Sequence, residues 1–82
     1  MYHVYIVSCA DNTLYTGYTT DVQRRIDEHN HARVGARYTK ARRPVKLVYS
    51  EACITLSEAL KREIVIKKMT KKEKSMLVQS VE

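Results

Sequence analysis

Tryptophan and phenylalanine are absent from these 82 residues, so the aromatic content rests on six tyrosines. Glycine occurs twice and proline once, and no repeat, low-complexity tract or linker divides the chain. No apolar run approaches the roughly 20 residues that span a bilayer, so no membrane partner is expected. Met1 leads directly into a strand-like pattern rather than into a charged segment and an apolar signal core, which makes the cytoplasm the expected location. The two cysteines, Cys9 and Cys53, are too far apart in sequence for a metal-ligand pair and too few for a disulfide framework. Both are expected to be small buried side chains. A chain of this length makes one domain, residues 1–82, near the lower limit for a self-sufficient core, burying about 60% of the surface its unfolded form exposes.

Residues 2–31 hold most of the pattern. Tyr2 to Cys9 is rich in β-branched and aromatic residues, Ala10-Asp11-Asn12-Thr13 is a turn cluster, and Leu14 to Tyr18 returns as a second run. The segment predicts a hairpin carrying Tyr5 and Tyr15. Because side chains alternate along a strand, a two-residue loop puts these tyrosines on opposite faces, and an odd-numbered loop or a bulge puts them on one. The odd loop is expected.

Beyond the hairpin, Thr20-Asp21-Val22-Gln23 reads as a capping box opening a helix with Val22 and Ile26 on its buried face. Arg25 and His29 stand one turn apart and project together. The helix is expected to end between residues 30 and 33, followed by a long polar loop to Arg43 that includes Gly35 and a potential helical turn. Val45 to Tyr49 alternates as a third strand beside the hairpin strands. Thr55-Leu56-Ser57-Glu58 and Thr70-Lys71-Lys72-Glu73 predict two further capping boxes, the first opening a helix to about Met69 and the second a short terminal helix.

The net charge of +6 is unevenly placed: all fifteen Lys and Arg fall within Arg24 to Lys46 or Lys61 to Lys74. Gathered on one face, such blocks attract phosphate backbones. Arg24, Arg33, Arg37, Lys40, Arg42, Arg43, Lys67 and Lys68 are the expected nucleic-acid contacts, the arginine-rich first block being the better suited to phosphate. Solvated helix and loop surface is the competing reading, and for the lysine-rich second block it weighs equally. Glu63 breaks the second helix's apolar pattern, lying among Ala59, Leu60, Ile64 and Ile66. An unpaired carboxylate there is costly, so a partner is implied: Arg25, backbone donors or a divalent cation. Residue chemistry alone favours the ion pair.

Taken in order, these residues resemble the GIY-YIG endonuclease family. His3-Val4-Tyr5 is similar to its first motif and Tyr15-Thr16-Gly17 to its second, with the family's ten-residue tyrosine spacing. Arg25 falls at the position of the family's catalytic arginine, His29 where His or Tyr is often found, and Glu63 at the metal-binding glutamate. The resemblance covers residues 2–74 and is nearest to small single-domain bacterial members. His3 and Val4 replace the glycine and isoleucine of the first motif, and Tyr18 stands where some members, including the excision-repair incision subunit, carry lysine.

The resemblance implies an α+β fold, a three-stranded, mostly antiparallel sheet flanked by helices, and metal-dependent phosphodiester hydrolysis in DNA, in repair or recombination. It makes Glu63 the ligand of Mg²⁺ or Mn²⁺, reversing the ion-pair preference, and Arg25 the cation against the scissile phosphate. Tyr5 becomes the general base or the orienter of water, Tyr15 positions water or phosphate, His29 orients phosphate or assists proton transfer, and Gly17 is structural. The expected protein is a monomer. Single-stranded, flap, branched and duplex DNA, and RNA, are not distinguished. Two other classes stay open: a catalytically weak nucleic-acid-binding module, and an adaptor for a repair or recombination protein.

Overall fold

The computed structural model describes residues 1–31 and 37–80; the side chains of residues 37 and 38 lie outside that description. Three strands, β1 (Tyr2–Ser8), β2 (Leu14–Thr19) and β3 (Lys46–Cys53), form one sheet. Among the described residues four helices accompany it: α1 (Val22–His31), α2 (Arg37–Lys40), α3 (Leu56–Lys67) and α4 (Lys71–Gln79). The strand order is β2-β1-β3 with both pairings antiparallel, so the architecture is the α+β one expected. β3 pairs with β1 alone rather than with both hairpin strands, and it extends past Tyr49 to Cys53. A register shift in the β1–β3 pairing falls between Ile6 and Val7.

Five residues join β1 to β2, and the register sets Tyr5 opposite Gly17 and Val7 opposite Tyr15. The loop is odd-numbered, and both tyrosines share a face. Asp11 shapes the loop by accepting from the Thr13 backbone N–H at 3.1 Å and the Thr13 hydroxyl at 2.6 Å, while Asn12 adopts φ 67°. A short polar side chain tolerates that left-handed conformation better than most, and it competes locally for backbone donors. Arg42 ties the loop down, its Nε donating to Asp11 Oδ2 at 2.9 Å.

The two faces of β1 feed two cores. Val4 and Ile6 pack with Tyr49, Cys53, Ala59 and Ile66, joining α3 to the sheet, with Leu77 and Val78 of α4 alongside. Tyr5 and Val7 pack with Cys9 and Val45, with Ile26 of α1 against them. Both cysteines are free and buried.

Several helix readings change. Asp21, not Thr20, caps α1: its carboxylate accepts from the Arg24 N–H at 3.1 Å. Thr19 supports it, its hydroxyl accepting from the Asp21 N–H. At α3, Thr55 accepts from the Glu58 N–H as expected, but Glu58 reaches back to the Ile54 N–H, so the pair is not reciprocal, and the helix ends at Lys67. The Thr70–Glu73 box is complete in both directions. The face of α3 is also rotated from the apolar pattern. Ala59 and Ile66 are buried, whereas Leu60 and Ile64 are 37% and 53% exposed. In α1, Val22 and Ile26 are only half-buried, and the fully buried residue is His29.

Candidate active site

The hairpin, the first turn of α1 and the middle of α3 meet around an open cleft of about 430 Å³. Tyr5, Tyr15, Gly17, Arg25 and Glu63 all line it. Five residues from four separate elements, each singled out from the sequence, thus share one space.

Gly17 makes the arrangement of Tyr5 feasible. The Tyr5 ring crosses the backbone of its cross-strand partner so closely that a Cβ there would lie 2.6 Å from Tyr5 Oη and 2.8 Å from Cζ. Any larger residue displaces the ring. Tyr5 is 1% exposed, and its Oη lies 2.7 Å from His29 Nε2. His29 in turn has Nδ1 2.7 Å from Thr39 Oγ1 on α2. The chain Tyr5–His29–Thr39 is buried throughout. Tyr15 packs edge-on against His29, ring centroids 5.4 Å apart at 71°, and Tyr5 meets it at 5.8 Å and 61°. The imidazole is thereby wedged between the two tyrosines.

Electrostatics set the resting protonation. Burial pushes the Tyr5 phenol up to about 12, against the opposing pull of the Arg25 guanidinium. Burial, with the positive field of Arg25, brings His29 down to about 4. At neutral pH the phenol keeps its proton and the imidazole is neutral. A neutral ring has one donor and one acceptor, so the imidazole donates in one of its two bonds, to Tyr5 Oη and Thr39 Oγ1, and accepts in the other.

Arg25 is half-buried on the wall of the cleft and pairs one turn along α1 with Glu28, Nη1 to Oε1 3.1 Å. An ion pair between Arg25 and Glu63, one of the partnerships weighed for that carboxylate, is therefore not the one found. Glu63, its side chain 14% exposed, instead has Lys67 Nζ 3.7 Å from Oε2. It is the only carboxylate among the described residues that line the cleft. Among the described residues no group of three or more His, Cys, Asp or Glu could enclose a metal ion. One hard oxygen ligand facing open space suits Mg²⁺ or Mn²⁺, which retain water and take further oxygens from a phosphate.

The outlying cations divide. Arg24 is exposed on the rim, and Lys67 and Lys68 are exposed at the end of α3. Arg43 turns inward instead: its Nε donates to the His29 carbonyl and Nη2 to the Glu28 carbonyl at 3.3 Å, which holds the last turn of α1. Arg42 is engaged with Asp11. Lys40 is exposed on α2, Arg33 lies outside the described residues, and Arg37 is described only in its backbone.

Sequence reasoning missed the supports. Asn30 clamps the end of α1 to Val45, the residue before β3, its amide donating to the Val45 carbonyl at 3.1 Å and accepting from the Val45 N–H at 2.7 Å. With Arg43 and Thr39 it fixes the backbone and ring of His29. Asn30 and Thr39 stood in no recognisable pattern, and Arg43 was expected to contact nucleic acid rather than to support the helix.

Comparison with known proteins places this geometry. A UPF0213 protein of Desulfotalea psychrophila is 58% identical over 79 residues, covering 96% of this chain and 72% of its own. One from Halobacterium salinarum is 52% identical, covering 94% of this chain and 99% of its own. Among solved structures, the solution NMR structure of the UPF0213 protein BH0048 from Bacillus halodurans superposes with a TM-score of 0.61 at 42% identity, covering 96% of this chain and 84% of that one. The protein EF2693 from E. faecalis gives 0.63 at 34%, covering 98% and 84%. The GIY-YIG catalytic domain matches residues 1–76, the span that carries every cleft residue above, and the chain belongs to that family.

Proposed function

We propose that this protein is a divalent-metal-dependent endonuclease that hydrolyses phosphodiester bonds in DNA, in repair or recombination. The supporting observation is the convergence on one cleft of a guanidinium (Arg25), a carboxylate (Glu63) and a phenol hydrogen-bonded to a neutral imidazole (Tyr5 and His29). Arg25 pairs with a phosphate oxygen and with the charge that develops on it during attack. Tyr5 orients the attacking water through its hydroxyl, which His29 holds in place. A phenol held near 12 is almost never ionised at neutral pH, and an imidazole held near 4 is too weak a base to take its proton, so a general-base role for Tyr5 depends on the Arg25 guanidinium stabilising the phenolate. Thr39 keeps the imidazole turned so that Nε2 faces Tyr5. Tyr15 holds the ring from the side and borders the same space. Glu63 is the residue that would hold Mg²⁺ or Mn²⁺. Such an ion supplies charge for the phosphate and the leaving oxygen. Arg24, Lys67 and Lys68 extend the positive surface away from the cleft.

The Lys67–Glu63 contact favours a second reading. It gives the carboxylate a counter-ion without a metal, as a nucleic-acid-binding module would require. Labelled single-stranded, duplex, flap and branched DNA, each incubated with Mg²⁺, Mn²⁺ or EDTA, separates the two. Cleavage of one or more forms with metal and none in EDTA supports the nuclease. Binding of all forms with no cleavage under any condition installs the binding module in its place.

A further inference from the structure

Tyr18 belongs neither to the two cores nor to the hydrogen-bonded chain Tyr5–His29–Thr39. It sits opposite Val4 in the register, so it points to the other face of β2 from Tyr15 and Gly17. β2 is an edge strand, however, and at that edge Tyr18 borders the cleft. Tyr18 is 40% exposed, in contrast to the buried Tyr5 and Tyr49. A large, partly apolar ring left open to water forgoes burial energy. Its surroundings are the cleft that holds Arg25 and the exposed Arg24.

Resting on the nuclease reading, we propose that Tyr18 is a stacking platform for an unpaired nucleobase adjacent to the phosphate held in the cleft, so that the substrate class is nucleic acid with an unpaired nucleotide at the cleavage position. The cations of the cleft suit the phosphate and give its neighbouring base nothing apolar to rest on. Tyr18 supplies a flat face beside them, and every base presents a π-face of matching shape. A base paired inside a duplex is already stacked on both sides and has no face to offer. Preference for unpaired DNA thus needs no base-specific hydrogen bond. Because Tyr18 lies at the rim, it binds the substrate without taking part in proton transfer.

The test is affinity in EDTA for a short single strand and for the same strand in a duplex, using wild type, Tyr18→Phe, Tyr18→Leu and Tyr18→Ala, with cleavage in Mg²⁺ measured separately. Loss of stacking corresponds to a roughly 5- to 100-fold weaker single-strand affinity. The alanine and leucine variants are expected to show it, the phenylalanine variant to stay near wild type, and duplex affinity to be unchanged in all. Tyr18→Leu keeps apolar bulk without a ring, so it decides the matter even where alanine unfolds the edge strand. Equal losses on single strand and duplex, or wild-type affinity in the leucine variant, overturn the platform. If wild type cleaves nothing and the selective loss persists, the platform stands and the nuclease reading falls.

Discussion

At the scale of single residues, Tyr5 is held in place at both ends: its ring lies on Gly17 and its hydroxyl on a buried histidine. Removing the hydroxyl strands His29 Nε2 without a partner, so Tyr5→Phe should cost about 1 to 3 kcal/mol in denaturant unfolding. It should also lower the cleavage rate by about 10² or more, the usual contribution of a positioned base. Undiminished cleavage would move the base role to Tyr15 or His29. Glu63 gives the opposite balance. Its partner Lys67 is half exposed, and such a pair is worth at most about 1 kcal/mol. Glu63→Gln should therefore leave the melt nearly unchanged and abolish Mg²⁺-dependent cleavage, while DNA binding in EDTA holds or tightens as a negative charge leaves the cleft. A large drop in melting temperature with cleavage retained would remove Glu63 from the chemistry. These side chains were legible in the sequence because chemistry restricts their type and strand and helix periods restrict their spacing. Thr39 was not, since it reaches His29 only through tertiary structure and lies in a stretch without periodicity.

Elements show where local pattern stops deciding. Thr20 and Asp21 are adjacent and both competent to cap a helix, and only the path of the chain leaving β2 selects between them. Thr19 accepting from the Asp21 N–H fixes that path and leaves the Asp21 carboxylate over the first turn. Asp21→Ala should lower stability by about 1 kcal/mol and Thr20→Ala by far less, as read from paired chemical melts. Equal effects would restore Thr20 to the cap. In α3 the apolar residues outnumber the places available against the sheet. The small Ala59 allows close approach beside Ile66, and that rotation leaves Leu60 and Ile64 outside and Glu63 at the cleft. The hairpin was read more securely, because alternation has a period of two and loop parity alone settles which face a residue takes.

For the whole molecule, the buried neutral imidazole makes stability depend on pH. His29 sits near 4 in the folded protein and near its ordinary 6.5 when unfolded, so between those values the unfolded chain binds more protons. Stability from this group is complete above about pH 6.5 and falls as the solution is acidified toward 4, by about 3 kcal/mol in all. Urea unfolding at pH 7.5, 5.5 and 4.5 should show that decline, and His29→Gln should remove this component. A wild-type profile flat across the range would contradict a buried neutral His29. The order of strands has a different consequence, for the chain during synthesis. β1 lies between β2 and β3, and β3 follows it only after the whole of α1 and α2 has been made. Until then one edge of a β-rich segment with no lysine or acidic residue, Tyr2–Ser8, has no strand to pair with. Open edges of that composition are the ones that join to other chains. The nascent hairpin is thus most open to self-association before residue 53 emerges, well ahead of the completion of the cleft by Glu63.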